Sequence, residues 1–498
     1  MTSNLPTPYQ DFIHKSRYAR WDEKNGRRET WEETVDRYLD YMSNHLKNKF
    51  NFNMSDYGSL HNILRTHILE LKTMPSMRAM MTAGDALSKD NVCGYNCSYI
   101  PVDSPRAFDE CMYILMCGTG VGFSVERENV NKLPFVNEHF EDSTTVIRVA
   151  DSRAGWARAL RELIAMLYVG QVPVLDVEDV RPSGAKLKTM GGRASGPAPL
   201  VDLYRFAIQL FKKAKGRKLY PIECHDLMCK IGEVVVVGGV RRSALISLSN
   251  LSDDQMRHAK SGDWWKTETQ RALSNNSIAY ENKPEMETYM REWLALYESK
   301  SGERGMFNRE ASDKQVAKNG RRETGHKWGT NPCSEIILRP YQFCNLSEVV
   351  VRNDDTLETL NNKVRVATIL GTFQSTLTDF KYLRKIWKDN TEEERLLGVS
   401  LTGIMDHNVL SKTSDSERWL KNMKQTAVET NQEYASLLGI PQSAAITCVK
   451  PSGTVSQLVD ASSGIHARHS QYYIRTVRAD NNDPLTKFLQ SENIFCEP

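Results

Sequence analysis

The chain has 498 residues, 40% hydrophobic and 26% charged, and its 65 Lys and Arg against 62 Asp and Glu leave a net charge of +3. Ordinary globular usage excludes a mainly disordered or fibrous protein, and a balanced charge without long runs of one sign excludes a polybasic nucleic-acid arm. The longest apolar stretches, such as Leu163-Ile-Ala-Met-Leu-Tyr-Val169, fall far short of the roughly 20 residues of a membrane span, and the start Met1-Thr-Ser-Asn-Leu-Pro6 lacks the regions of a signal peptide, so a cytoplasmic protein without membrane or direct nucleic-acid contact is expected.

Residues 1 to about 90 are predicted helical. Trp31, Val35, Tyr38, Leu39 and Met42 fall on one face of a helix. From about residue 96, short apolar runs at 96–100, 121–125, 172–177 and 244–248 predict strands. Between them lie amphipathic helices such as 155–169, with Trp156, Leu160, Leu163, Ile164 and Leu167 on one face. Alternation of this kind predicts an α/β domain with parallel strands. The stretch 302–329, rich in Gly, Arg, Lys and Asn, reads as the most loop-like interior segment. One boundary is drawn, near residue 90, separating a helical region (1–90) from the α/β domain (91–498).

Ten cysteines occur, none in a C-x-x-C spacing, so neither a zinc ribbon nor a thioredoxin-type redox site has its signature. In a reducing compartment a functional cysteine is catalytic rather than bridging. Four glycine-bearing loops follow in order. They are Met116-Cys-Gly-Thr-Gly-Val-Gly-Phe123, the basic segment from Arg181 to Pro197, Gly238-Gly-Val-Arg-Arg-Ser243, and the turn Lys450-Pro-Ser-Gly-Thr454. The last lies between a predicted strand (445–449) and a helix start (455–459), which aims unpaired N–H groups at one point, a natural anion site. Each loop alone also reads as a plain turn, and none is a P-loop or a G-x-G-x-x-G fingerprint. Four of them in one α/β domain point to a phosphorylated ligand.

The densest cluster is Thr330-Asn-Pro-Cys-Ser-Glu-Ile-Ile337, followed by Gln342-Phe-Cys-Asn-Leu346. Pro332 disfavours a helix through Asn331, so Asn331, Cys333 and Glu335 are expected to alternate along an extended segment and point the same way. A thiol between an amide and a carboxylate offers a reactive sulfur, an orienting group and a general base. The same set fits a thiol hydrolase or a buried cysteine beside a solvated glutamate. His225, His326, His466 and His469 are candidate bases that no local context ties to Cys333.

Taken in order along the chain, ten segments resemble the catalytic (large, alpha) subunit of the ribonucleotide reductases, most of all the class II, adenosylcobalamin-dependent type. They are Tyr18-Ala-Arg-Trp21, Pro75-Ser-Met-Arg-Ala79, Asn96-Cys-Ser-Tyr99, Gly118-Thr-Gly-Val-Gly-Phe123, Asp151-Ser-Arg-Ala-Gly-Trp156, Arg181 to Pro197, Gly238 to Ala244, Asn331 to Glu335, Phe343-Cys-Asn-Leu346 and Lys450 to Ser456. The resemblance implies a ten-stranded α/β barrel of two five-stranded halves with a central finger loop, tipped by Asn331 to Glu335. It implies radical-based reduction of ribonucleotides to 2′-deoxyribonucleotides, as DNA precursors. Cys333 would carry the thiyl radical, Glu335 would take the 3′-hydroxyl proton, Asn331 would hold the sugar hydroxyls, and Cys97 with Cys344 would be the reducing dithiol.

By the same resemblance Pro451, Ser452, Gly453, Thr454, Val455 and Ser456 form the substrate phosphate loop, with Gly120 and Arg241 also at the substrate. Gly238, Gly239 and Arg242 belong to a specificity loop, Arg181 opens an effector loop, and Asp103 meets the effector ribose. The implied ligands are a ribonucleoside di- or triphosphate, a dNTP or ATP effector and adenosylcobalamin, with no protein-bound metal and with a thioredoxin-like reductant as partner. A short spacer between Leu133 and Asp151 favours a homodimer, and no amino-terminal ATP-cone is expected. Two other readings stand beside this one: the same reaction with its radical supplied by a ferritin-like dimetal subunit, and a non-catalytic nucleotide-binding barrel. A glycyl-radical relative fits the two cysteine segments less well. Family members continue past the segment matching Tyr472 to Arg478, so the chain is expected to lack the last barrel strand and a cysteine tail. A second polypeptide supplying that part, or the radical, is a further expected partner.

Overall fold

Capping chemistry and apolar periodicity set the elements of the computed structural model, which describes residues 5–185, 194–237, 244–474, 476, 484–492 and 496–497. Helix α1 (Pro8–Arg17) starts at Thr7, whose hydroxyl accepts from the Tyr9 amide. Helix α2 (Trp31–Phe50) opens on a reciprocal capping box between Thr30 and Glu33 and buries Trp31, Val35, Tyr38, Leu39 and Met42, the predicted face. Next come β1 (Thr73–Met74), β2 (Cys97–Pro101), α3 (Arg106–Met116), β3 (Gly120–Ser124) and α4 (Arg153–Tyr168). Ser152 caps α4, which buries the predicted Trp156, Leu160, Leu163, Ile164 and Leu167. The predicted strand at 172–177 is Gln171–Asp176, paired in parallel with Glu141–Arg148 in a separate two-stranded sheet.

The remaining strands are β4 (Leu245–Asn250), β5 (Ser274–Tyr280), β6 (Gly305–Asn308), β7 (Gly329–Thr330), β8 (Ile337–Leu338), β9 (Gln342–Cys344), β10 (Leu346–Val350) and β11 (Gly398–Thr402). In the main sheet β6, β5, β4, β3 and β2 run parallel in that order, and β9 adds antiparallel to β2. This is the expected mixed α/β architecture, with five parallel strands in one half. Only Asn345 separates β9 from β10. Its side chain leaves the ladder to bond Gly371 O (2.8 Å) and Gln374 (2.6 Å) on a neighbouring helix, and the chain swivels there into a second sheet. In that sheet β10 lies between β11 and β1, and residues 445–448 extend β11 through Leu397 N to Ala445 O, Val399 N to Ile446 O and Cys448 N to Val399 O. Ten barrel strands are not reached among the described residues.

The stretch 302–329 is not the loop its composition suggests. It holds β6 and a helix, α5 (Arg309–Asn319), capped by Asn308 at one end and by left-handed Gly320 at the other. Polar residues surround this helix, so no apolar stripe betrays it. Its anchor is instead a buried double ion pair of Arg309 with Glu126, both bonds 2.6 Å. One continuous apolar core runs from the amino-terminal helices through α3 and α4 to Val455 and Leu458 of the short helix α6 (Gly453–Leu458). No helix among the described residues is long and apolar enough to cross a membrane.

The hairpin β7–β8 lies across β2 and β3 at backbone contact. A Cβ on Gly122 would sit 1.8 Å from Thr330 O, one on Gly329 would sit 2.1 Å from the Tyr99 ring, and one on Gly120 would sit 3.0 Å from Pro332. Contacts this close leave no room for a methyl group beside backbone that cannot yield. Gly122→Ala is therefore expected to lower stability by about 1–3 kcal/mol in urea unfolding and to speed proteolysis within 329–338. An unchanged urea midpoint with unchanged cleavage contradicts the packing.

Candidate active site

The tip of the hairpin is a tight turn and not the extended segment expected from the sequence. Ser334 N donates to Asn331 O at 2.9 Å, Pro332 takes the second turn position it favours, and Ser334 is left-handed with φ 62°. The turn sends Asn331 and Cys333 different ways. Asn331 is fully buried, its Nδ2 donating to Glu335 Oε2 (2.5 Å) and to Cys97 Sγ (3.4 Å), while its Oδ1 accepts from Ile336 N (3.0 Å). Cys333 stands at the exposed apex. The amide thus links the carboxylate to the sheet thiol beneath it.

Cys97 and Cys344 are direct partners across the antiparallel β2–β9 ladder, where side chains of facing residues touch. Burial holds the Cys344 thiol well above its ordinary pKa, reinforced by its hydrogen bond with Cys97. Cys333 is open on one side, yet the protein around its sulfur, helped by nearby Glu335, pushes its pKa up to about 12 against the pull of Lys450. A thiol in this environment stays protonated at neutral pH.

Sequence reasoning missed three residues here. Cys448 packs with Cys97, Cys344, Leu346 and Leu396 in one apolar cluster. Lys450 Nζ lies 3.0 Å from Glu348 Oε2; burial disfavours its charge, but Glu348 outweighs that and holds its pKa above the usual lysine value. Glu348 is four positions past Cys344 and Lys450 directly precedes the predicted anion loop, but only the fold brings them together. In that loop Ser452 is left-handed (φ 56°) and leads into α6, whose first-turn N–H groups lack intrahelical partners. Gly464 closes the loop from behind, where a Cβ would meet Lys450 O at 1.9 Å. Glu348 Oε1 and Ser452 Oγ are buried without a hydrogen-bond partner. Pro451, Gly453 and Thr454 are the more open residues, Val455 and Ser456 are buried, and α1 braces the far side through Gln10 Nε2 to Gln457 O at 3.0 Å.

Gly120 lies under Pro332 and pairs with Cys97 in the β2–β3 register. Asp103 sits beyond the opposite end of β2 and accepts from the Tyr341 hydroxyl. Arg181 Nε is 2.7 Å from Asp151 Oδ2. Gly238, Gly239, Arg241 and Arg242 lie outside the described residues. Of the four candidate histidines, His225 bonds Asn276 (2.9 Å) and neighbours Cys229, and His326 packs on Trp328; His466 bonds the carbonyl of Ala467 (2.8 Å) and His469 packs on Tyr473.

Two family models match the chain: "Ribonucleotide reductase alpha domain" over residues 3–85 and "B12-dependent ribonucleotide reductase, insertion domain" over residues 121–210. In both segments the chain is similar to ribonucleotide reductases, the second of them of the B12-dependent type. Among its relatives, the adenosylcobalamin-dependent ribonucleoside-triphosphate reductase of Lacticaseibacillus paracasei is 29% identical over 97% of this chain and 76% of its own length. That of Lactobacillus delbrueckii subsp. bulgaricus is 27% identical over 96% and 76%. A crystal structure of a B12-dependent (class II) ribonucleotide reductase shares the fold with TM-score 0.77 at 24% identity, covering 93% of this chain and 78% of the other. The alpha subunit of the Actinobacillus ureae class Id enzyme shares it more loosely, with TM-score 0.54 at 12% identity over 99% and 80%.

The elevated pKa of Cys333 has a direct consequence. At pH 8 its thiolate fraction is so small that, even after the gain in intrinsic nucleophilicity, iodoacetamide should alkylate it about a hundredfold more slowly than free cysteine. Alkylation of Cys333 at the free-cysteine rate, followed by peptide mass spectrometry, would contradict this electrostatic account.

Proposed function

We propose that the chain reduces ribonucleotides to 2′-deoxyribonucleotides by thiyl chemistry at Cys333, in the adenosylcobalamin-dependent manner named for its relatives. The observation carrying this reading is the arrangement around Asn331: one buried amide joins Glu335 to Cys97, Cys97 faces Cys344, and Cys333 stands protonated above them. In this reading a hydrogen-abstracting sulfur, a proton acceptor and a two-electron dithiol are gathered at one hairpin tip and the strands beneath it.

In this reading the Cys333 radical takes the 3′ hydrogen of the ribose, and Glu335 accepts the 3′-hydroxyl proton while Asn331 fixes its direction. The 2′-hydroxyl leaves as water with a proton from the Cys97–Cys344 pair, which supplies two electrons and ends as a disulfide. The second thiol hydrogen goes to the 2′ carbon, Glu335 returns its proton to the 3′ oxygen, and Cys333 returns its hydrogen to the 3′ carbon, which regenerates the thiyl radical. Pro451 to Ser456, with Lys450 beside them, hold the substrate phosphates through first-turn N–H groups and the partnerless Ser452 hydroxyl. Asp103 and Arg181 serve a dNTP or ATP effector, together with the specificity loop of Gly238, Gly239 and Arg242, while Arg241 and Gly120 serve the substrate. A thioredoxin-like protein re-reduces the disulfide.

The residues fit adenosylcobalamin in one testable respect: Cys333 and Ser334 form an exposed apex that a bulky cofactor can approach without moving the hairpin. When bound there, the cofactor supplies the oxidising equivalent that turns the thiol of Cys333 into a radical. Exclusion of water is left to the buried floor of Asn331, Cys97 and Cys344.

Cys333→Ala is expected to abolish deoxynucleotide formation, by at least about a thousandfold, while leaving ribonucleotide affinity within about twofold, because the sulfur acts on the transition state and not on ground-state binding. Turnover by this variant near the wild-type rate, with adenosylcobalamin present, would overturn the assignment.

A further inference from the structure

A second pair of thiols lies apart from the hairpin site. Cys93, in the short turn Asn91–Gly94 that leads into β2, and Cys117, which ends α3, are both fully buried. Both sulfurs accept from the same nitrogen, Arg153 Nη1, at 2.7 Å and 3.3 Å. Arg78, also buried, donates to the Cys117 carbonyl, and its Nε has no partner. Among the described residues neither guanidinium has a carboxylate at ion-pair distance. The nearest acid, Asp90, is engaged by the Tyr113 hydroxyl (2.7 Å).

Arg78 is buried and Arg153 half-buried; a guanidinium withdrawn from water favours a counter-charge, and here the thiols are the groups placed to supply it. A hydrogen bond from Cys117 lowers the Cys93 pKa to about 6, with Arg153 and Arg78 adding to it against burial. Of the two, Cys93 is the more readily ionised and Cys117 the one that keeps its proton. That is the arrangement of an attacking and a resolving cysteine.

We propose that Cys93 and Cys117 form a redox-active dithiol, distinct from the Cys97–Cys344 pair, which a hydroperoxide converts to a disulfide and a thiol reductant restores. The Cys93 thiolate attacks the peroxide O–O bond, forming a sulfenic acid and releasing hydroxide. The Cys117 sulfur then displaces the sulfenic oxygen, and the Cys117 proton leaves with it as water. With hydrogen peroxide the sum is one thiolate, one thiol and one peroxide giving one disulfide, one hydroxide and one water. The sulfurs lose two electrons and the peroxide gains them.

Oxidation removes the negative charge on which Arg153 rests. Arg153 is the first residue of α4, and the adjoining Asp151 holds Arg181. The disulfide therefore loosens the start of α4, while the reduced pair pins it.

The test uses the full chain carrying Cys97→Ser, so that the hairpin-site disulfide cannot form, and reads neither turnover nor nucleotide binding. Its failure is thus separable from failure of the proposed reductase activity. After hydrogen peroxide and thiol blocking, peptide mapping should find Cys93 linked to Cys117, and dithiothreitol should reverse the link. Backbone amides of residues 153–156 should exchange with solvent at least fivefold faster in the linked form. With Cys117→Ala added, Cys93 should instead be captured by dimedone as a sulfenic acid. Should that variant fail to fold, the linkage and exchange measurements decide. An unmodified Cys93 after peroxide, or a sulfenic acid that never links while Cys117 is present, overturns the dithiol. A complete link with unchanged exchange overturns its coupling to α4.

Discussion

The site depends on one steric condition: the hairpin must lie on the sheet at backbone distance. Thr330 O occupies the place where a Gly122 side chain would begin, and the Tyr99 ring fills the place of one on Gly329. Only missing Cβ atoms allow that approach. From it follows the depth of Asn331, which reaches Cys97 only because the strand beneath is so close, and from Asn331 follows the direction of Glu335. The five parallel strands and the swivel at Asn345 set the platform. The glycines set the distance between platform and tip.

Electrostatics then separate the sulfurs by role. Cys333 keeps its proton because the protein around its sulfur excludes much of the water and Glu335 lies near, which suits the hydrogen-atom carrier proposed for it. Cys344 keeps its proton through burial. Cys93, by contrast, sits between two guanidinium groups and loses its proton easily. The same residue type is therefore tuned in opposite directions, upward where burial dominates and downward where a neighbouring thiol donates a hydrogen bond and guanidinium groups lie close.

Much of this was legible in the sequence where a local pattern had one structural reading. The faces of α2 and α4 follow from apolar spacing, and the strand–turn–helix at 445–459 follows from Gly and Pro between apolar runs. Helix α5 was hidden because it buries an ion pair instead of an apolar stripe, and periodicity does not register Arg309 meeting Glu126 across 183 positions. The tip was read as extended because Pro332 restrains the residue before it. That restraint is equally met by the turn that Ser334 N closes onto Asn331 O. Glu348 carries no motif, and 102 positions separate it from Lys450. The partners that matter to the site are distant in sequence, whereas the loops that hold them are local.

The central claim is that Cys97 and Cys344, and no other pair, deliver the electrons for reduction at Cys333. The most direct measurement is a single-turnover experiment with pre-reduced protein, adenosylcobalamin, a ribonucleotide and no external dithiol. Product and disulfide are quantified in the same quenched sample. The account predicts up to one deoxynucleotide per chain, matched by an equal amount of Cys97–Cys344 disulfide. Product formed while that pair remains reduced would contradict it.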